Sequence, residues 1–333
     1  MRAEGRYRLW VGALTVLLLL SLPLIWGWSE ATPRWSEVWT LLNRQPLDDT
    51  DRYILLQLRL PRLMLGLLAG MMLAAAGLVL QGLFRNPLMD PFILGISGGG
   101  ALGAGLAILL GLDFWLLGLN AISLSAFAGA LGVIALVYQL GRYRGQLVLD
   151  RLLLAGVALS ALCSALLTLF LVLKGQGLDQ VVYWIMGSLS HSRWEEVLTL
   201  IPFALLALPL VLLGLHPLNL MQTGEETAAS LGVNALWLKR LLLLAAALLS
   251  AAVVAVCGVI GFVGLMVPHL ARLSTGSSDF RRLLLPSLLL GGLLLLWADA
   301  LSRNLLSSQE IPVGIFTALL GVPFFLSQLQ RSS

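Results

Sequence analysis

Residues 63–84 read LMLGLLAGMMLAAAGLVLQGLF, an uninterrupted apolar run with no Asp, Glu, Lys, Arg or His. A helix that crosses the hydrocarbon of a bilayer needs about 20 such residues. The Leu/Ala/Gly/Met composition lacks the alternation of apolar and polar residues that a membrane β-strand shows. The same character recurs at 92–112, 116–141, 152–173, 241–268 and 283–298, which are likewise free of Asp, Glu, Lys and Arg. Over all 333 residues, 59% are hydrophobic and 11% charged. Soluble domains carry roughly 25% charged residues, so lipid is the solvent for most of this surface.

These runs predict an all-α integral membrane protein with about ten spans. They fall near 9–28, 61–84, 92–111, 116–140, 152–173, 196–214, 241–259, 262–275, 283–301 and 313–329. Arg2, Arg6 and Arg8 precede the first run, which no small-residue cleavage site follows, so it reads as an uncleaved helix. With the N-terminus inside, Arg85, Arg142, Arg144, Arg151, Lys239, Arg240, Arg272, Arg281, Arg282 and Arg331 join the inner side. The outer side receives Arg34, Arg44, Arg52, Arg59, Arg62, Lys174, Arg193 and Arg303. This bias favours an even number of spans with both termini cytoplasmic. The scattered cations suggest no nucleic-acid partner. Residues 29–60 form a long outer segment, 215–240 the largest inner one, and 175–192 a short helix at the outer rim.

Several functions are disfavoured by what is missing. Lys174 and Lys239 are the only lysines, and neither follows a Gly-rich phosphate loop. The chain therefore lacks nucleotide hydrolysis by that route, and an energy source must come from a partner. Ion-coupled carriers and cation channels place ionisable groups or a carbonyl filter near mid-membrane, whereas Asp299 and His269 lie only at span ends. His191, His216 and His269 are far apart and predict no metal site. Cys163 and Cys257 lie within apolar runs and read as packing residues. Gly95 to Gly100 opens the third span with small residues suited to close helix packing. The spacing of Gly77 to Pro87 repeats from Gly258 to Pro268, in spans of opposite direction, as an inverted repeat would place them.

Motifs along the chain resemble one family. They are Leu60-Pro61-Arg62, Gln81 to Pro91 (QGLFRNPLMDP), Leu94-Gly95-Ile96-Ser97-Gly98, Gly224-Glu225-Glu226 and Ser230-Leu231-Gly232-Val233. Gly261 to His269 (GFVGLMVPH), Ala298-Asp299, Glu310 to Gly314 (EIPVG) and Gly321 to Phe325 (GVPFF) continue the series. Together they are similar to the FecCD permeases of ABC importers for ferric siderophores, haem and cobalamin.

The resemblance implies a type II ABC importer permease fold, a single permease domain over 1–333, and a location in the inner membrane. It implies no cofactor and no catalytic residue. The partners would be ABC ATPase subunits, a periplasmic substrate-binding protein and a second permease copy or homologue. Arg59, Arg62 and Arg303 match the outer arginines that receive carboxylates of the binding protein. Residues 215–240 match the cytoplasmic coupling segment, with Gly224, Glu225, Glu226, Leu231 and Gly232 as contacts to the ATPase. Leu149 and Asp150 stand at the cytoplasmic gate, where other members carry small hydroxyl residues. A bulky metal chelate is the expected cargo, with cobalamin the alternative; an ion-coupled secondary transporter is the reading from another class.

Overall fold

Lipid offers no hydrogen-bond partner, so each span must close its backbone bonds internally, and helices do so. The computed structural model describes residues 2–28, 35–43, 45–116, 119–190, 192–305 and 310–331, without the side chains of 2, 3, 329 and 331. Arg34, Arg44 and His191 lie outside the described residues. The first helices are α1 (Arg2–Gly27), α2 (Trp35–Leu42), α3 (Asp49–Tyr53), α4 (Leu60–Leu83), α5 (Ile96–Leu110), α6 (Ala121–Gly141) and α7 (Leu149–Lys174). They continue as α8 (Leu178–Ile185), α9 (Trp194–Met221), α10 (Glu225–Ser230), α11 (Ala235–Cys257), α12 (Val263–Thr275), α13 (Phe280–Asn304) and α14 (Val313–Arg331). Among the described residues, seven segments are long and apolar enough to cross a membrane, and α5, α12 and α14 are the shorter members of the expected ten.

Helix ends follow their sequence. Asn120 and Asn234 accept from the backbone N–H of Ser123 and Trp237, at 2.8 and 3.0 Å, and so cap α6 and α11. Gly111, Gly175 and Gly276 close α5, α7 and α12 in the left-handed conformation that favours glycine.

The run at 63–84 becomes the buried centre. Most residues of α4 are buried, whereas α7 buries only a few. Between apolar helices in lipid the hydrophobic effect supplies little attraction, so close backbone approach must supply it. A Cβ on Gly70 would lie 2.2 Å from the Gly291 carbonyl oxygen of α13. One on Gly77 would lie 1.9 Å from the Gly264 oxygen of α12. Pro268 has no N–H to give that Gly264 carbonyl four residues earlier. Gln81 Nε2 donates to it instead at 3.1 Å, and to Leu265 O at 2.9 Å.

Three expectations change. The second span begins earlier than residue 61, because α3, a π-helical turn (Ile54–Arg59) and α4 form one continuous helix from Asp49. Pro61 removes a hydrogen-bond donor, and the wider turn before it carries the helix past that gap. The connection expected at 215–240 is only 222–234, since α9 and α11 extend through His216 and Lys239. Finally, Gly77 lies inside α4 while Gly258 (φ 71°) lies at the break after α11, so that spacing does not carry over to the backbone. The repeat is instead one of elements: a long buried helix, a break, then a short helix whose N-cap is left-handed. Gly95 (φ 88°) precedes α5 as Phe262 (φ 66°) precedes α12.

Two substitutions test the α4 contacts. Gly77→Val should destabilise the protein by at least ~2 kcal/mol, as overpacking does, and lower the thermal midpoint in detergent. Gly132→Ala in α6, where an added Cβ meets nothing within 4 Å, should leave the midpoint unchanged or higher.

A second test concerns the connection between α4 and α5. Asp90 is buried there, and its Oδ1 accepts from Phe92 N at 2.8 Å. Burial pushes its carboxyl up from 3.8 to about 6. The folded protein therefore holds this proton more tightly than the unfolded chain does. The resulting stability is present below about pH 4 and lost as pH rises through about 6. Asp90→Asn keeps the acceptor but cannot ionise. It should be more stable than the parent by about 2–3 kcal/mol above pH 7, with the two midpoints converging near pH 4 in a thermal series.

Candidate functional sites at the two ends of the bundle

Long-range hydrogen bonds sort the helix termini into two ends. At one end, Trp194 donates to Leu56 O, Arg59 to Trp26 O, and Arg62 to Asp299 and Glu310. At the other, Arg6 donates to Leu273 O and Ser274 O, Arg85 to Met221 O, and Asn219 to Asp279. Lys239 and α10 lie at this second end. Arg59 and Arg62 thus lie at one end, and Arg6, Arg85 and Lys239 at the other. Cys163 and Cys257 are buried and unbridged.

At the Arg62 end, the three arginines expected to meet a binding protein do not share one state. Arg62 is 11% exposed and fully engaged. Its Nε donates to both oxygens of Asp299 (3.0 and 3.1 Å), while Nη1 and Nη2 grip Glu310 at 3.0 Å each. The Asp299 side chain is 4% exposed, and it also faces Arg303 Nε at 3.3 Å, without hydrogen-bond alignment. Arg59 Nη1 donates to Trp26 O at 3.2 Å. Two guanidinium and two carboxylate groups therefore form a neutral network joining α4, α13 and the start of α14. Glu310 is its exposed edge, at 47%. A cavity of about 730 Å³ opens at the same end, lined by Trp115, Tyr183, Trp184, Arg193 and Glu196 among others.

At the Lys239 end, Gly224 (φ 124°) turns the chain into α10, and buried Ala228 anchors that helix. Glu225 pairs with Lys239 Nζ at 2.6 Å. Glu226, Leu231 and Gly232 (φ 87°) are exposed, Leu231 at 60%. Residues 224–232 thus combine an anchored inner face with a projecting apolar tip. The expected gate residues open α7: Leu149 packs on the core and Asp150 is exposed. They follow a hairpin pairing Arg142–Tyr143 with Gln146–Leu147, whose Arg144-Gly145 turn has φ of 49° and 82°. Both central residues are left-handed, as the tightest hairpin turns require. A second cavity, about 600 Å³, lies at this end between Gln81, Arg85, His216, Asn219 and Arg272.

Asp299, Glu310 and Lys239 are absent from the site expected from sequence. Arg62 and Asp299 are 237 positions apart, so no local spacing reveals the pair. The available signal is chemical: a carboxylate at the end of a charge-free span needs a cation.

Comparison with known proteins decides the family. The model of the FecCD transport family matches residues 13–331. The chain belongs to the FecCD transport family. The hemin transport system permease protein HmuU of Yersinia pestis is 44% identical to this FecCD chain, over 99% of the chain and 98% of that protein. The Fe(3+)-citrate import system permease YfmE of Bacillus subtilis is 41% identical, over 86% and 85%. The vitamin B12 import system permease BtuC of Yersinia enterocolitica is 40% identical, over 99% and 95%. A solved inward-facing transporter of the metal-chelate ABC type superimposes with a TM-score of 0.84 at 34% identity, covering 96% of this chain and 98% of that one. This FecCD protein is a multi-pass, all-α permease of the ABC importer kind.

Removing the shared carboxylate tests the neutral network. Asp299→Asn leaves Arg62 and Arg303 close together with Glu310 alone as counter-charge. A loss of about 3 kcal/mol is expected, the scale for a broken buried ion pair, read as a lower thermal midpoint in detergent.

Proposed function

We propose that this protein is the membrane subunit of an ATP-driven importer that moves a bulky metal chelate, a ferric siderophore or haem, inward across the inner membrane. The Arg62 end faces the periplasm and a binding protein; the Lys239 end and both termini face the cytoplasm. Residues 1–333 act as one permease domain beside a second copy or homologue. The observation that carries this reading is the projecting segment 224–232, an apolar tip on an anchored short helix, which suits a cleft in an ATPase. ATP binding there would tilt the helices around α4 and open the two ends alternately, with Leu149 and Asp150 at the cytoplasmic gate. The charge-free spans support a drive that comes from a partner.

The neutral network refines the docking reading. A partner carboxylate approaching Arg62 competes with Asp299 and Glu310, so docking there is an exchange of charge-assisted bonds. The 44% identity to a hemin permease supports haem as the first cargo to test. Cobalamin is the second, supported by the 40% identity to BtuC.

Vesicles holding this chain with its ATPase and binding protein test the reading, with haemin, ferric citrate and cobalamin as probes. ATP-dependent accumulation of one of them is expected. Leu231→Asp combined with Glu226→Arg should abolish both uptake and co-purification of the ATPase. Uptake driven by a proton gradient through the isolated chain would overturn the proposal.

A further inference from the structure

Lys239 sits in the second turn of α11 with its side chain only 9% exposed. A buried ammonium has three donors and no acceptor, and it is stable only where those donors find partners. Two partners come from two other elements. Glu225 Oε1 of α10 lies 2.6 Å from Nζ, and the carbonyl oxygen of Leu147, in the hairpin before α7, accepts from it at 3.4 Å. Among the described polar contacts, this ammonium is what joins α10 to that hairpin. The neighbouring cations lie elsewhere: Arg144 of the hairpin turn and Arg151 of α7 are exposed and cover the Tyr143 ring at 5.3 and 4.1 Å. Leu147 is buried, Val148 caps α7, and Leu149 and Asp150 follow at once.

We propose that Lys239 is a positioning residue that transmits displacement of α10 to the gate hairpin. This inference rests on reading 224–232 as the ATPase contact and 149–150 as the gate. The charge-assisted bond to Glu225 is the stiffer of its two contacts, so a shift of α10 carries Nζ with it. The Leu147 carbonyl, one peptide bond from the N-cap of α7, then follows or loses its donor. Arginine can serve both acceptors, but an apolar side chain of similar length can serve neither.

The test is a nitroxide at Gln146→Cys, an exposed hairpin position, in the complex of this chain with its ATPase. The spectrum is compared without nucleotide and with ATP–vanadate. In the parent the label's mobility should change with nucleotide. Lys239→Met should remove that change while Lys239→Arg retains it, both complexes eluting as intact assemblies. Where the Met variant fails to assemble, Lys239→Ala takes its place, since it too can donate to neither acceptor. An equal response in the parent and the uncharged variant would overturn the role of Lys239 and leave the ATPase contact standing. No response in the parent with ATPase bound would overturn it too. If no ATPase binds the parent, the reading of 224–232 falls and the inference falls with it.

Discussion

The structure depends on how closely α4 can approach its neighbours. In lipid, apolar side chains gain little by leaving one apolar medium for another, so attraction between helices comes from backbone contact and from the hydrogen bonds buried with it. Gly70 against Gly291 of α13 and Gly77 against Gly264 of α12, about two turns apart along one helix, allow that contact. Gln81 then donates to the Gly264 carbonyl that Pro268 leaves without its usual partner. The same helix that holds the bundle together also fixes both ends, with Arg62 in its first turn and Arg85 just beyond its last. A change in the tilt of α4 against α12 or α13 would be felt at both.

The two ends handle charge differently. In the Arg62 network the charges are paired among themselves and neutral in sum, with one carboxylate at the surface. Such a network is costly to break and carries little field outward. At the Lys239 end the guanidinium of Arg85 rests on a backbone carbonyl and that of Arg272 on the Gln81 amide oxygen. Positive charge is thus left over beside a 600 Å³ opening, in keeping with the excess of cations assigned to the cytoplasmic side.

The order of spans was legible in the sequence because hydropathy reports which solvent a segment prefers, and that preference is local. Its limits came where local polarity and helical structure part company. His216 and Lys239 are polar but still helical, so α9 and α11 reach further than their apolar runs, and the connection between them shrinks to 222–234. Residues 49–60 carry charges yet continue into α4 through a π-helical turn. The motif residues Arg62, Asp299, Glu225 and Glu310 were identifiable through the family resemblance. The pairing of Arg62 with Asp299 and Glu310, and of Glu225 with Lys239, was not, because ion pairs between distant helices leave no spacing to read.

One helix connects the two ends in a way that the span order alone does not suggest. α11 carries Lys239 near its start and ends at Cys257, a rise of about 34 Å for 23 residues at 1.5 Å each. Its far end meets the turn after α8 and, through that turn, the start of α14. Ser188 N donates to Cys257 O at 2.9 Å, and a Cβ on Gly187 would lie 2.5 Å from the Val259 oxygen. A Cβ on Gly314 would lie 2.1 Å from the Met186 oxygen, four residues after Glu310. A rigid tilt of α11 that moves Lys239 therefore moves the break at 258–262 against the segment holding Glu310 on Arg62. Because these are backbone contacts with no room for a side chain, the motion cannot be absorbed by rotamer changes. Packed elements of this kind shift as units, so the proposed push on α10 and the proposed exchange of carboxylates at Arg62 would act on the same piece of structure from opposite ends.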